Sequence, residues 1–461
     1  MKKKIISSIL CAGMAAGLLA GYGNISAEAA ELDENEEITL RLMGPGLLGS
    51  QGESGALDMV TGLETPGYNV IIDRWEELHP NVKLEIENAP WDSWQSAVQA
   101  AVLSGEVDVV LHGATLTALV EPLDEYLAAD PEYADSIYTT ETRRTTDIND
   151  LTVPTTTGIP YTLSPMLCYL DKDIFEHYGV DLPDENWTWS DMLSLAEQMT
   201  GTDPVTGEQT YGVQIDSMDS ANNAFFTFQM IASAYDAQVF TYGKTVEEST
   251  VDYTSDKALA VFQMIKDLGE YCSPAVREGV NIAYQLTEDN DTAIRYSPDG
   301  FKHFNEAQVG GVEDKFVFMS MPVIEEGEHA GSPSSFKGCN NMAICKTSEH
   351  KDWAWEFIKF MTTDPVAVQW VIDCGQIPNV PEGLDTVREI MGDKADAISR
   401  TLEAMPNEFS NSTTAYYNNI SFGPVTATLG SVTLDLVKGT ISAEDAAQTM
   451  QNTVEEFLAV K

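Results

Sequence analysis

The chain has 461 residues, of which 43% are hydrophobic, and its 73 acidic and 25 basic residues give a formal net charge of -48. Such a chain can bury large cores, which excludes a wholly disordered protein. The negative charge repels phosphate backbones and anionic lipid headgroups, so nucleic acid and membrane surfaces are excluded as partners.

The first predicted element is an export signal over residues 1–29. Three lysines follow the initial methionine, a short apolar run comes next, and Ala27 and Ala29 offer small residues for a peptidase. The run ends in LAGY at residues 19–22, which resembles a bacterial lipoprotein signal with Tyr22 where the lipid-bearing cysteine belongs. We therefore expect an exported chain that carries no lipid anchor.

Beyond the signal, the sequence has no second apolar stretch long enough to span a bilayer. The cysteines there are odd in number, so at least one thiol is unpaired within the chain. They are Cys168, Cys272, Cys339, Cys345 and Cys374. Neither a CxxC motif nor a cysteine–histidine spacing typical of metal sites is present, so we predict no metal ion and no cofactor.

From residue 38 onward, short apolar runs alternate with helical patterns. The run ITLRLMG predicts a strand that leads into a glycine-rich loop, and an amphipathic helix then ends before Pro80. A second strand begins at Val82, a helix ends near Gly105, and VDVVLHGA at 107–114 predicts a buried strand. This order indicates a mostly parallel sheet with helices on both faces, which binds ligands at its strand-end loops.

The second half of the sequence is richer in helical patterns. Residues 225–275 and 395–460 are predicted to be mainly helical, whereas KFVFMSMPVI at 315–324 predicts a return to strand. An amphipathic helix is predicted over 348–363. Trp75 and Phe357 lie on apolar helix faces, and Trp91, Trp94, Trp187 and Trp189 lie beside helix starts, so packing is predicted for all of them. Asp171 and Asp173 are predicted to lie in a solvated turn.

Several segments, read in chain order, resemble one family. They are RWEELHPNVKLEIENAPWDSW, SGEVDVVLHGA, GIPYTLSPMLCYLDKDIFEHYGVDLPDENWTWSDML, DPVTGEQTYGV, KTSEHKDWAWEFIKFMTTDPVAVQW and ISAEDAAQTMQNTVEEFL. Together they span most of the chain after the signal. They are similar to extracellular solute-binding proteins of ABC importers, in the branch that takes sugars and oligosaccharides.

The resemblance implies an α/β clamshell of two lobes, each a β-sheet flanked by helices, with three interlobe crossings. Carried onto this sequence, residues 37–162 and 313–346 form lobe 1, and residues 163–312 and 347–461 form lobe 2. The expected crossings lie near 160–164, 310–311 and 345–348. The paired glycines at 310–311 suit a segment whose backbone dihedrals change.

The implied function is an exported carbohydrate receptor, without catalytic residues, that delivers an oligosaccharide to ABC-transporter permease subunits at the outer face of the cytoplasmic membrane. The receptor is expected to be a monomer. One alternative keeps the fold and changes the cargo to a cationic or peptide solute, which the acidity permits. Another is a secreted glycoside hydrolase, which needs two carboxylates flanking the scissile bond; the sequence shows no recognisable hydrolase motif.

Sugar sites combine flat aromatic faces with planar polar groups, and we expect them at strand ends and crossings. The predicted ligand-binding residues occupy such positions. They are Gly44, Gly46, His112, Thr115, Tyr161, Ser164, Asp299, Phe301, Phe336, Asn340, Tyr416, Tyr417 and Asn418. Relatives often carry Gly-Pro-Trp where this chain has Ser297-Pro298-Asp299, and a glycine pair where it has Ser334-Ser335-Phe336. Both loops normally face the ligand, so the resemblance implies the class of ligand and not its identity.

Overall fold

The computed structural model of the chain describes Leu32 and most of residues 35–459, and the predicted signal lies outside the described residues. Within 35–459, the description leaves out residues 47, 49–51, 58, 60–61, 91–93, 114–115, 117, 139–142, 148–149, 216–223, 281–285, 336, 339 and 405–422. None of the described helices is both long and apolar enough to cross a membrane.

The strands are numbered in chain order. They are β1 (Ile38–Gly44), β2 (Ala56–Leu57), β3 (Glu64–Thr65), β4 (Val82–Asn88), β5 (Val109–Leu111), β6 (Arg143–Asp147), β7 (Asp150–Pro160), β8 (Thr162–Pro165), β9 (Leu167–Asp171), β10 (Gly201–Thr202), β11 (Gln209–Gln214), β12 (Phe240–Thr241), β13 (Thr250–Val251), β14 (Thr292–Ser297), β15 (Phe316–Ser320), β16 (Lys337–Gly338), β17 (Asn341–Ile344) and β18 (Ile377–Pro378).

The helices are numbered in the same way. They are α1 (Asn69–Leu78), α2 (Trp94–Ser104), α3 (Asp124–Ala129), α4 (Pro131–Ser136), α5 (Lys172–Tyr178), α6 (Trp189–Gln198), α7 (Phe225–Ala234), α8 (Asp256–Gly269), α9 (Pro274–Arg277), α10 (Gly300–Gly310), α11 (Lys351–Thr363), α12 (Pro365–Asp373), α13 (Pro381–Met391), α14 (Asp396–Ala404), α15 (Gly423–Val437) and α16 (Ala443–Ala459).

The first lobe is built on a six-stranded sheet in the order β4-β1-β5-β17-β7-β6. Strand β1 runs parallel to β4 and β5, as the alternating pattern predicts, whereas β17 is antiparallel to β5 and β7. Trp75 of α1 packs edge-on against Phe357 of α11, with ring centroids 5.2 Å apart, and both side chains are fully buried. The predicted packing roles of these two residues are therefore confirmed.

The second lobe is built on a five-stranded sheet in the order β10-β11-β14-β9-β15. Strand β9 lies antiparallel to both β14 and β15, and its side chains are all buried. A large apolar core joins this sheet to the helices of the second half of the chain, through Phe228 on α7, Phe262 on α8, Leu429 on α15 and Met450 on α16. The predicted helical character of this half thus provides the packing layer of the second sheet.

Asp171 is fully buried, which corrects the prediction of a solvated turn at this position. Its carboxylate caps α5 by accepting from the backbone N–H of Asp173 at 3.0 Å, and it also accepts from Asn290 Nδ2 at 2.7 Å. Lys315 Nζ lies 3.5 Å away. Because Asn290 precedes β14 and Lys315 precedes β15, this carboxylate ties together the ends of three adjacent strands.

Two segments lie in the lobe opposite to the one predicted. Strand β15 pairs with β9 along its whole length and so belongs to the second lobe, although residues 313–346 were assigned to lobe 1. Helices α11 and α12 belong to the core of the first lobe, although residues 347–461 were assigned to lobe 2. The physical reason is apolar burial, because their large aromatic side chains cover Trp75 and the adjoining face of the first sheet.

The three crossings between the lobes meet in one small sheet of order β16-β8-β18. The first crossing is β8, close to its predicted position, whereas the second is β16 and the third is β18. Gly311, predicted to lie at the second crossing, instead ends α10 with a left-handed φ of 69°. Ser348, predicted at the third crossing, stays on the first lobe, where its hydroxyl donates to Asp108 at 2.6 Å.

Candidate functional site

The carboxyl ends of β1 and β5 lie side by side at one edge of the first sheet, where α/β folds bind ligands. Gly44 closes β1 with a φ of 146°, and a Cβ there would lie 2.4 Å from the carbonyl oxygen of Leu111. Only glycine permits this approach. Gly44, predicted to bind ligand, therefore serves first to bring the two strand ends together.

A polar cluster forms at this edge from Gly46, His112, Asn340 and Thr162, and we call it the strand-end cluster. His112 Nε2 donates to Asn340 Oδ1 at 2.6 Å. Thr162 Oγ1 accepts from the backbone N–H and from Nδ2 of Asn340, at 2.9 and 3.0 Å. The structure thus brings together three predicted residues that are far apart in sequence, and adds Thr162.

The strand-end cluster is tightly packed and locally strained. His112 has a φ of 58°, a left-handed conformation that is unfavourable for a residue with a side chain and that is often found at functional sites. Gly46 has a φ of 102°, and a Cβ there would lie 2.7 Å from Cδ2 of His112. The backbone of the loop after β1 therefore runs directly against the imidazole ring.

Trp94, at the start of α2, lies beside the strand-end cluster. Its ring centroid is 6.4 Å from that of His112, and both residues are partly exposed. The indole also packs against the small apolar cluster that includes Val98 and Val102. Trp94, predicted as a packing residue, thus combines that role with a partly exposed ring next to polar groups, which is a combination that suits carbohydrate binding.

Two predicted aromatic contacts are corrected by their burial. Tyr161 is 1% exposed and belongs to the apolar core of the first lobe, and Phe301 is 2% exposed within a second-lobe cluster that includes Phe304. Side chains alternate along β8, so Thr162 and Ser164 lie on the same face of that strand. Ser164 is 9% exposed and pairs with Gly338 within the crossing sheet.

Asp299 lies between β14 and α10 at the corresponding edge of the second lobe. One carboxylate oxygen accepts from Gln376 Nε2 at 3.3 Å, and the residue is partly exposed. Within the described part of the chain, no hydrogen bond reaches the other oxygen. The backbone N–H of Asp299 donates to Ser297 Oγ at 3.2 Å, which fixes the turn. Asp299 can therefore accept a hydrogen bond from a ligand hydroxyl.

Five predicted residues fall outside the described residues, and their roles stay predictions. They are Thr115, Phe336, Tyr416, Tyr417 and Asn418. Sequence reasoning missed Thr162 and Gln376, because their roles follow only from the pairing of the crossing strands. Among the described residues, no group of three histidine, cysteine, aspartate or glutamate side chains is arranged to hold a metal ion.

Comparison with models of known families assigns the chain to one family. The model of the family described as "Bacterial extracellular solute-binding protein" matches residues 61–368. The chain belongs to this family. Its members are extracellular receptors of ABC transporters that bind their substrates and do not act as enzymes, so the glycoside hydrolase alternative is set aside. A comparison with curated protein sequences gives no match.

Solved structures show the same fold as this solute-binding protein. A solute-binding protein from Agrobacterium radiobacter K84 in complex with ribitol has a TM-score of 0.69 at 15% identity, covering 91% of this chain and 99% of that chain. Maltose-bound MalE3 of T. maritima gives 0.65 at 15% identity, with the same coverage. Lmo0181 of Listeria monocytogenes with cycloalternan gives 0.62 at 15% identity, covering 92% and 100%.

Proposed function

We propose that this solute-binding protein is a carbohydrate receptor that delivers an oligosaccharide to the permease subunits of an ABC transporter. The observation that carries the proposal is the strand-end cluster with Trp94 beside it, since it joins polar groups to an aromatic ring at the sheet edge where ligands bind. The neighbouring structures support this class of ligand, because they are complexes with ribitol, maltose and cycloalternan.

The proposed site offers hydrogen-bonding groups on both lobes, with the strand-end cluster on the first lobe and the Asp299 carboxylate, an acceptor, on the second. A sugar carries several hydroxyl groups, each both a donor and an acceptor, so different hydroxyls of one ligand can pair with the two sides. The apolar C–H face of a pyranose can pack on the partly exposed indole of Trp94. A ligand that bridges the two lobes binds their closed arrangement more tightly and therefore shifts the population toward it.

The proposed place of action is the outer face of the cytoplasmic membrane. The predicted signal over residues 1–29 supports export, and the extracellular family supports a role outside the cell. The net charge of -48 keeps the receptor away from anionic lipid surfaces, so its docking depends on the permease subunits. We propose that the receptor works as a monomer, with one ligand between its two lobes.

A second candidate is a cationic solute, such as a polyamine. Asp299 favours it, because a partly buried carboxylate with one oxygen open to a ligand also suits an ammonium group. The partly exposed indole of Trp94 is compatible with it as well, since an ammonium group can lie over the ring face. The two candidates differ in what Asp299 contributes, since a neutral amide can replace a carboxylate toward a hydroxyl but cannot neutralise a cation.

Calorimetry with a small ligand panel tests the proposal. Ribitol, maltose, cycloalternan and spermidine are titrated into the wild-type protein, into Asp299→Asn and into Trp94→Ala. For a carbohydrate receptor we expect binding to at least one of the first three, with the larger loss in Trp94→Ala. Binding of spermidine alone, abolished in Asp299→Asn, would contradict the proposal and establish the cationic candidate.

A further inference from the structure

One side of α10 faces elements of the first lobe. Asp299, Lys302 and Val309 recur at helical spacing on that side. Gln376 Nε2 donates to Asp299 Oδ1 at 3.3 Å, and a Cβ on Gly375 would lie 3.1 Å from both Cα and Cβ of Lys302. Two turns further on, a Cβ on Gly62 would lie 3.7 Å from Cγ1 of Val309. We call this hydrogen bond and the two close approaches between α10 and the first lobe the side contact.

The first-lobe half of the side contact rests on a rigid base. Gly375 and Gln376 follow Cys374, the C-cap of α12, and Trp370 of α12 is 1% exposed in the core of the first lobe. Trp370 Nε1 donates at 2.9 Å to the carbonyl oxygen of Gly67, at the end of the loop that carries Gly62. The turn after α12 and the loop before α1 are therefore held together, and α12 also reaches the second lobe, because Ile372 lies in the cluster that includes Phe301 and Phe304 of α10.

The second-lobe half is equally fixed, by a buried chain of polar groups. Glu306 Oε2 lies 2.7 Å from His303 Nδ1, and His303 Nε2 lies 3.2 Å from Ser297 Oγ. Ser297 Oγ accepts in turn from the backbone N–H of Asp299. The side chains of His303 and Glu306 are 5% and 4% exposed. Asp299 is thus held at the start of α10, and its carboxylate is a fixed acceptor for Gln376.

The position of Gln376 links this contact to the crossings. The third crossing, β18, begins at Ile377, the next residue, and pairs with β8 at the centre of the crossing sheet. Lobe rotation about that sheet changes the backbone near Gln376, while Asp299 moves with the second lobe. A hydrogen bond between the two residues therefore responds to the angle between the lobes.

We propose that Gln376 is a positioning residue for ligand binding: it holds one oxygen of Asp299, directs the other toward the ligand, and ties this arrangement to the interlobe angle. The part that concerns the ligand rests on the proposed function. The contact between the lobes exists in the chain alone, so it can be tested in the unliganded protein, whatever the ligand is.

The first test measures interlobe distance without ligand. Spin labels are attached to cysteines introduced at the exposed residues Lys83 and Glu208, one on each lobe, in a Cys339→Ser background. Gln376→Glu places a second carboxylate against Asp299, so repulsion should lengthen the mean distance. Adding Asp299→Asn to this variant restores a hydrogen bond, with the donor now at position 299 and the acceptor at position 376. The distance should then return to the wild-type value. An unchanged distance in Gln376→Glu, or no recovery in the double variant, would overturn the proposal.

A pair of glycine variants gives a matched control. Gly375→Ala pushes a Cβ onto Lys302, whereas Gly439→Ala meets nothing within 4 Å, and the two positions have similar φ values of 74° and 70°. The backbone strain is therefore shared, and only the first variant should lengthen the distance between the labels. Equal distances in the two variants would count against the side contact.

The second test measures affinity for ribitol and maltose by calorimetry. Gln376→Glu should weaken binding about 5- to 10-fold through the loss of one oriented hydrogen bond. Asp299→Asn in the same chain should restore both the distance and most of the affinity, since an amide oxygen can replace a carboxylate oxygen toward a sugar hydroxyl. Affinity that stays low after the distance has recovered would refute the positioning role. If the wild type binds neither compound but the distances behave as expected, the choice of sugar has failed and the interlobe contact stands.

Discussion

Replacement of Gly46 by alanine is predicted to weaken ligand binding through the strand-end cluster. The new Cβ would lie 2.7 Å from Cδ2 and 2.9 Å from Nε2 of His112, and 3.0 Å from Oδ1 of Asn340. The imidazole ring must retreat by about 0.7 Å to regain an ordinary 3.4 Å contact. Because Nε2 is bonded to Asn340 at 2.6 Å, this movement distorts the pair that the ligand is proposed to meet.

The magnitude of the effect has two parts. Alanine at a φ of 102° carries backbone strain of about 1–2 kcal/mol, which lowers stability whether or not ligand is present. Misalignment of one hydrogen-bonding group costs about 0.5–1.5 kcal/mol of binding free energy, or roughly 2- to 13-fold in Kd. The second part is specific to the site and is the quantity to be measured.

The assay compares Gly46→Ala with Gly52→Ala by calorimetry and thermal unfolding. Gly52 also has a positive φ, of 71°, but a Cβ there meets nothing within 4 Å. Both variants should lose stability, whereas only Gly46→Ala should lose affinity for the sugar that the wild type binds. Equal affinity in the two variants would refute a role for the strand-end cluster in binding.

Three further predictions concern packing, pH and thiol chemistry. Tyr161→Ala should lower the melting temperature of the unliganded protein by several degrees, because a buried aromatic side chain is lost from the core. A loss of ligand affinity at an unchanged melting temperature would instead show that Tyr161 contacts the ligand. Burial by itself raises the pKa of Asp203, but hydrogen bonds from backbone amides and His177 lower it to about 2. The ionised Asp203 carboxylate therefore contributes fully to the free energy of unfolding above its ordinary pKa of 3.8, and this contribution is lost as the pH falls toward 2. Asp203→Asn should make the free energy of unfolding depend less on pH in that range. Burial raises the pKa of Cys272 to about 12, so its thiol should react with a thiol reagent only after unfolding; rapid labelling of Cys272 in the native protein, mapped by mass spectrometry, would contradict its burial.

Much of the fold follows from local sequence patterns. The strand at 38–44 and the amphipathic helix over 351–363 show clear apolar periodicity, and the structure contains both. The lobe to which β15 belongs could not be predicted from local patterns, because long-range packing decides which strands pair. Strand β15 pairs with β9, which lies nearly 150 residues earlier. The same long-range choice places α11 and α12 on the first lobe.

The site shows a similar division between local and long-range information. Gly46, His112 and Asn340 were each predicted from their places at strand ends, and the structure joins them in one cluster. The burial of Tyr161 could not be predicted from the sequence, because it lies in a bend between two strands and packs in a core assembled from distant segments of the first lobe. Gln376 gave no local signal, since its partner Asp299 lies in the other lobe.

The central claim is that this solute-binding protein closes its two lobes around a carbohydrate and releases that carbohydrate unchanged. Small-angle scattering, with and without a saturating sugar chosen by calorimetry, tests it most directly, with the sugar recovered afterwards and identified by chromatography. The account predicts a smaller radius of gyration with ligand and an intact sugar. An unchanged radius of gyration at proven saturation, or a cleaved sugar, would contradict it.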